Sequence, residues 1–164
     1  VGSKIWWYDI YDLRKFSIDD IHTFIDIGAN TGTVSMMAKI LFSRTRIIAI
    51  EPSEETFIYL KNSLTCWGKN DFECYNIALG NGEELYLNRI RVSGKRRQNG
   101  EFQFYNDQER KNEHIETDEG GVQSKKLRQI FYDYSIDENK PYIIKIDCEG
   151  GERFMLQQRE ESLK

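Results

Sequence analysis

Apolar and polar positions fall into a legible order over the first half of this 164-residue chain. Residues 23–27 (TFIDI) are a short, β-branched apolar run, which predicts a buried strand. Gly28-Ala29-Asn30-Thr31-Gly32 predicts a turn. In residues 33–42 (TVSMMAKILF), Val34, Met37, Ala38 and Leu41 recur at helical spacing. RIIAI at 46–50 predicts a second buried strand. Pro52-Ser53 then opens a helix, with Ser53 as its N-cap and Phe57, Leu60 and Leu64 on one face. FECYNI at 72–77 alternates like a third strand. Strands alternating with helices predict a parallel sheet with crossover helices. Such a sheet gathers its loops at the carboxyl ends of the strands, where ligands bind.

The second half is less regular. Gly80-Asn81-Gly82 predicts a turn and residues 84–88 (ELYLN) a strand. Residues 89–121 are mostly polar, with scattered Phe102, Phe104 and Tyr105, and read as a long surface excursion or a β-hairpin. Leu127, Ile130 and Phe131 fit one face of a short helix. Pro141 precedes a predicted fourth apolar strand at 142–147, and after Gly150-Gly151 the pattern of residues 152–163 predicts a helix with Phe154 and Leu156 inward. At the other end, residues 5–21 mix Trp6, Trp7, Tyr8, Tyr11 and Phe16 with charge. They predict a helix whose aromatic side packs on the body of the domain. The organisation expected is an N-terminal helical and aromatic segment over 1–22, then one α/β domain over 23–164 that carries the polar excursion.

Charge narrows the function. Lys and Arg total 23 against 27 Asp and Glu, a net charge of -4, which disfavours a nucleic-acid partner. The run Lys95-Arg96-Arg97 reads as a solvated loop. Three irregularly spaced cysteines and two histidines give neither a disulfide framework nor zinc-ligand spacing, so no structural zinc is expected. Asp147 and Glu149 could offer oxygen ligands to a divalent ion, but two nearby carboxylates are more often metal-free, so no metal is expected. Reduced thiols fit a cytoplasmic protein. The apolar runs fall short of the roughly 20 residues that span a bilayer.

The chemistry concentrates in Asp26-Ile27-Gly28-Ala29-Asn30-Thr31-Gly32 and in Glu51, 19 positions after Gly32. Gly28 and Gly32 let the backbone turn tightly and approach a ligand. The helix that starts near Thr33 presents free N–H groups at its first turn. Glu51 ends the second strand, where a carboxylate accepts hydrogen bonds from both hydroxyls of a ribose. A dinucleotide site wants G-x-G-x-x-G, and here Asn30 replaces the second glycine while the third falls out of register. S-adenosylmethionine carries no phosphate and wants an acidic residue ending each of the first two strands. Asp26 meets the first requirement, facing the ligand's ammonium end directly or through water. The methyl donor is therefore favoured over NAD, and over a bare turn without a ligand.

FIDIGANTGTVS, the strand ending in Glu51-Pro52, Asn76-Ile77-Ala78-Leu79-Gly80, and the block IKIDCEGGE at 144–152 together resemble the FkbM family of S-adenosylmethionine-dependent methyltransferases. The last block is the more specific one. Cys148 and Gly151 stand where the family usually has Val and Ala, both small exchanges. The resemblance implies a Rossmann-like class I methyltransferase fold and methyl transfer to a hydroxyl of a sugar, a glycan or a natural product. It implies that Asp26, Gly28, Asn30 and Gly32 line the methionine half of the cofactor and that Glu51 holds the ribose. Asn76, Ile77 and Ala78 then lie at the adenine edge. Asp147 and Glu149 fall beside the sulfonium, and among Asp147, Glu149 and Glu152 the general base expected is Glu149. A second reading of Asp147 and Glu149 is that they cap the following helix. Lys145 is expected to pair with a carboxylate.

A complete sheet of this class has seven strands, and four parallel ones are found here besides the hairpin. The chain is thus expected to lack the C-terminal strands, as a fragment or as a naturally short domain. Strand four then has an open flank, which predicts a homodimer through the sheet edge. A non-catalytic cofactor-binding or partner-binding module and an NAD-dependent oxidoreductase are the alternative functions.

Overall fold

The first strand, β1 (Thr23–Ile27), is buried along its whole length, Asp26 included, as befits a central parallel strand. β2 (Arg46–Ile50), β3 (Phe72–Tyr75) and β10 (Tyr142–Ile146) complete a four-stranded sheet in the order β10-β1-β2-β3, every pair parallel. This is the parallel α/β sheet that the alternating pattern predicts, in the Rossmann-like arrangement that the resemblance implies. The computed structural model describes residues 9–16, 21–68, 71–89, 91–92, 95–96, 102–106 and 121–148. Glu149, Glu152 and the helix expected over 152–163 lie outside them.

The chain divides into two compact units, residues 1–76 with 131–147 and residues 77–130 with 148–164. In the first unit, α1 (Thr33–Leu41) follows β1 and α2 (Glu54–Trp67) follows β2. Val34, Met37 and Ala38 of α1 bury against Phe24, Ile47 and Phe42, and Leu60 and Leu64 of α2 against Ala29 and Ala49. Each fully buried Phe, Leu or Ile side chain contributes roughly 1.5–3 kcal/mol. α2 begins where the sequence places it: Ser53 Oγ accepts from Thr56 N at 3.3 Å. Across the adjoining strands, Arg46 makes a two-pronged ion pair with Glu73 (2.6 and 2.7 Å). Burial, and then the hydrogen bond it donates to Glu73 at 3.0 Å, pushes the Tyr75 phenol up to about 12. The Tyr75 ring stacks on Tyr134 at 3.8 Å between centroids.

The N-terminal segment departs from the helix expected over residues 5–21. Among the described residues it holds a turn and one 3-10 turn, Leu13–Lys15. Asp9 and Asp12 take left-handed φ values of 43° and 53°, which an α-helix does not admit. Leu13 nevertheless plugs into the core, 2% exposed, beside Phe24, Val34 and Met37.

In the second unit, β4 (Ala78–Leu79), β9 (Gly121–Lys125), β5 (Glu84–Arg89) and β8 (Phe102–Asn106) form a sheet in the order β4-β9-β5-β8. β5 and β8 are antiparallel, so the polar region contains a β-hairpin pairing rather than a structureless excursion. A short ladder joins β6 (Arg91–Val92) to β7 (Lys95–Arg96), which places Lys95 and Arg96 on a strand instead of the solvated loop expected; Arg97 lies outside the described residues. The chain passes back into the first unit within α3 (Leu127–Asp133), where Phe131 packs edge-on against Tyr142 of β10 at 5.1 Å. Among the described residues no helix is long and apolar enough to cross a membrane.

Candidate functional site

Strand register brings the first functional pair together. In the β1–β10 ladder Asp26 lies opposite Lys145. Their side chains, 0% and 5% exposed, form an ion pair with Lys145 Nζ 3.0 Å from Asp26 Oδ1. The other oxygen, Asp26 Oδ2, accepts from Ser35 Oγ of α1 at 2.7 Å. Lys145 Nζ also donates to the carbonyl of Gly28 at 2.7 Å. The pairing expected of Lys145 is thus with Asp26, and the same ammonium holds the first residue of the turn.

The turn itself crosses the carboxyl end of β2. Gly28 N and Ala29 N both donate to Ile50 O, at 3.0 and 2.9 Å. Gly28 (φ 75°) and Asn30 (φ 52°) take left-handed backbone, which a glycine adopts freely and an asparagine tolerates. Gly32 (φ 88°) is the N-cap of α1, and a Cβ there would meet Leu60 Cδ1 and Leu64 Cδ2 at 2.9 Å. Its lack of a side chain serves the packing of α2 against the turn.

Glu51 grips the turn from the other flank. Its Oε2 accepts from Asn30 N at 2.9 Å and its Oε1 from Ser53 N at 3.0 Å. Glu51 thus ties the turn after β1 to the start of α2. Only 7% of the residue is exposed. Burial pushes its carboxyl up to about 7, against the two backbone N–H groups and the more distant Lys145, which act to lower it. Asn76 secures the Glu51 main chain: its amide nitrogen donates to Glu51 O at 2.9 Å and to Pro52 O at 3.0 Å. Glu51 N donates in turn to Tyr75 O at 3.1 Å.

Asp147 follows β10, exposed at the side chain, with its N donating to Ile27 O at 3.1 Å. Its Oδ2 accepts from the Tyr11 hydroxyl at 2.6 Å. The Tyr11 ring lies 5.6 Å from Lys145 Nζ, within reach of a cation–π attraction. Sequence reasoning assigned Tyr11 to packing, and no local pattern marks it out.

Asp26, Gly28, Asn30, Gly32, Glu51, Asn76 and Asp147 all belong to the first unit, around one turn and the strand ends beside it. Ile77 and Ala78 are buried in the second unit, where Ala78 opens β4. Among the described residues no group of three or more His, Cys, Asp or Glu is arranged to hold a metal ion.

A family model described as a methyltransferase FkbM domain matches residues 26–164. Two solved structures are similar over part of the chain. Precorrin-6y C5,15-methyltransferase from Geobacter metallireducens GS-15 shares 24% identity at a TM-score of 0.36, over 40% of this chain and 35% of that one. TYW2 from P. horikoshii, in complex with MeSAdo, shares 22% identity at a TM-score of 0.35, over 41% of this chain and 25% of that one. The chain therefore spans about a third or less of either protein's length. No curated protein matches it.

Proposed function

Because the chain belongs to the FkbM family of S-adenosylmethionine-dependent methyltransferases, we propose that it transfers a methyl group from that cofactor to a hydroxyl oxygen of a sugar, a glycan or a natural product. The observation that carries this reading is Glu51. Its carboxylate is nearly buried, yet each oxygen takes a single backbone N–H and keeps a lone pair free. A pair of vicinal ribose hydroxyls is the donor set that such a carboxylate lacks. Burial disfavours its charge, and two added hydroxyl donors offset that cost.

In this reading Gly28, Asn30 and Gly32 present the turn to the methionine half of the cofactor. Asp26 acts at one remove, through the Lys145 that holds Gly28 O. Asn76 keeps Glu51 in place near the adenine edge, with Ile77 and Ala78 following it in sequence. When bound, S-adenosylmethionine supplies an electrophilic methyl carbon on a sulfonium. The chain's own task is to align the acceptor oxygen and take its proton. Glu149 is the base in this scheme and Asp147 the neighbouring carboxylate that orients. The three free cysteines suit a reducing, cytoplasmic setting. The edge of β10 away from β1 has no partner strand among the described residues, and a second copy of the chain is the partner proposed for it.

Calorimetric titration with S-adenosylhomocysteine, followed by incubation with methyl-labelled S-adenosylmethionine and a panel of glycans and alcohols, tests the proposal. Binding and transfer of label to a hydroxyl oxygen, giving a methyl ether, are expected. No heat at millimolar ligand overturns it. Binding without any consumption of donor identifies a non-catalytic module, and binding of NAD instead identifies an oxidoreductase.

A further inference from the structure

Tyr11 lies ahead of the family-matched segment, which starts at residue 26. Its hydroxyl nevertheless donates to Asp147 Oδ2 at 2.6 Å, across 136 positions of sequence. The length is that of a strong hydrogen bond to a carboxylate. Burial first, and then the Asp147 hydrogen bond, pushes the phenol well above its ordinary value, so it keeps its proton and acts as a donor.

The segment that carries Tyr11 is anchored on both sides. The Asp9 carboxylate accepts from Leu13 N and Arg14 N, each at 2.9 Å. Leu13 is locked in the core. The left-handed backbones of Asp9 and Asp12 cost about 1 kcal/mol each, somewhat less for aspartate than for most residues. That cost brings the Tyr11 ring over Lys145 and its hydroxyl to Asp147. Asp147 has its main chain fixed to Ile27 O, while its side chain is exposed. An exposed aspartate with no partner samples several rotamers; the Tyr11 hydroxyl selects one.

We propose that Tyr11 is a positioning residue of the methyl-donor site, fixing the Asp147 carboxylate at the end of β10, so that the N-terminal segment completes a site whose other parts lie in the family-matched chain. The inference rests on the proposed function, in which Asp147 falls beside the sulfur of the bound donor.

A double-mutant cycle on S-adenosylhomocysteine affinity tests it, with the intact chain, Tyr11→Phe, Asp147→Ala and the double variant. Tyr11→Phe keeps the ring over Lys145 and removes one hydrogen bond to a charged group. It should weaken binding about tenfold with little change in melting temperature. In the Asp147→Ala background the same change should alter affinity less than about twofold. A merely structural Tyr11 would instead lower the melting temperature and weaken both backgrounds alike. That result, or a Tyr11→Phe affinity within about twofold of the intact protein, overturns the inference and leaves the donor site standing. An intact protein that binds no S-adenosylhomocysteine removes the donor site, and this role with it.

Discussion

Asp26 lies on β1 and Glu51 directly follows the neighbouring β2, each carboxylate placed beside the same glycine turn, and the company they keep differs in kind. Asp26 is fully buried beside a full countercharge, Lys145 at 3.0 Å, with the Ser35 hydroxyl on its other oxygen. Glu51 receives two neutral backbone N–H groups, and burial prevails over them. In the first kind a full countercharge stands against the carboxylate at close range, although Asp26 Oδ1 makes no hydrogen bond besides that ion pair among the described residues. A carboxylate of the second kind is stable enough to stay in place and poor enough in donors to accept more. The turn is thus gripped on one flank by a structural clamp and on the other by a group suited to a ligand.

Breaking the structural flank should have the largest effect. Lys145→Met leaves the Asp26 charge buried without its partner and takes the ammonium from Gly28 O. A loss of about 3–5 kcal/mol is expected, read by urea denaturation near neutral pH. Glu51→Gln should act on the ligand instead. A glutamine side chain offers one acceptor oxygen and an NH₂ that opposes one of the two backbone donors. S-adenosylhomocysteine affinity should fall about 10- to 100-fold, the worth of one or two hydrogen bonds to a charged group, and the backbone N–H left facing the NH₂ should cost about 1–3 kcal/mol of urea stability.

The pH dependence sharpens the same contrast. Below about pH 7 Glu51 holds its proton in the ligand-free protein, and a protonated carboxyl is a poorer acceptor. Affinity should fall roughly tenfold from pH 8 to pH 6 in the intact protein, and much less in Glu51→Gln. Ligand-free stability should run the other way. The raised value of Glu51 favours folding fully below its usual 4.5, and that contribution is lost as pH rises through 7; Glu51→Gln should flatten this fall. Ser35→Ala removes one neutral donor to Asp26 while the ion pair remains. It should be the mildest change, about 1–2 kcal/mol of stability and no loss of ligand affinity beyond that.

Much of the first unit was readable because its patterns are local. The runs TFIDI and RIIAI, the Ser53 cap and the spacing of Leu60 and Leu64 each show themselves within a few residues. Glu51 could be picked out by its place at a strand end, although its partners, two main-chain N–H groups, carry no residue identity and leave no trace in sequence. Gly32 was legible as a glycine and its reason was not, since the obstruction comes from Leu60 and Leu64, a helix further on. Tyr11 was illegible because its partner lies 136 positions away. The helix expected over residues 5–21 failed where Asp9 and Asp12 turn left-handed, which aromatic content does not reveal. In the polar region the pairing of β5 with β8 was left open between hairpin and loose excursion, because sparse apolar positions set no register.

A crystal structure of the protein with S-adenosylhomocysteine tests the role of Glu51 most directly. Both ribose hydroxyls should lie within hydrogen-bond distance of the Glu51 carboxylate, with Asn30 N and Ser53 N still bound to it and the amino-acid tail against Gly28. A ligand seated elsewhere, or a ribose turned away from Glu51 while the carboxylate keeps only its two backbone partners, would contradict it.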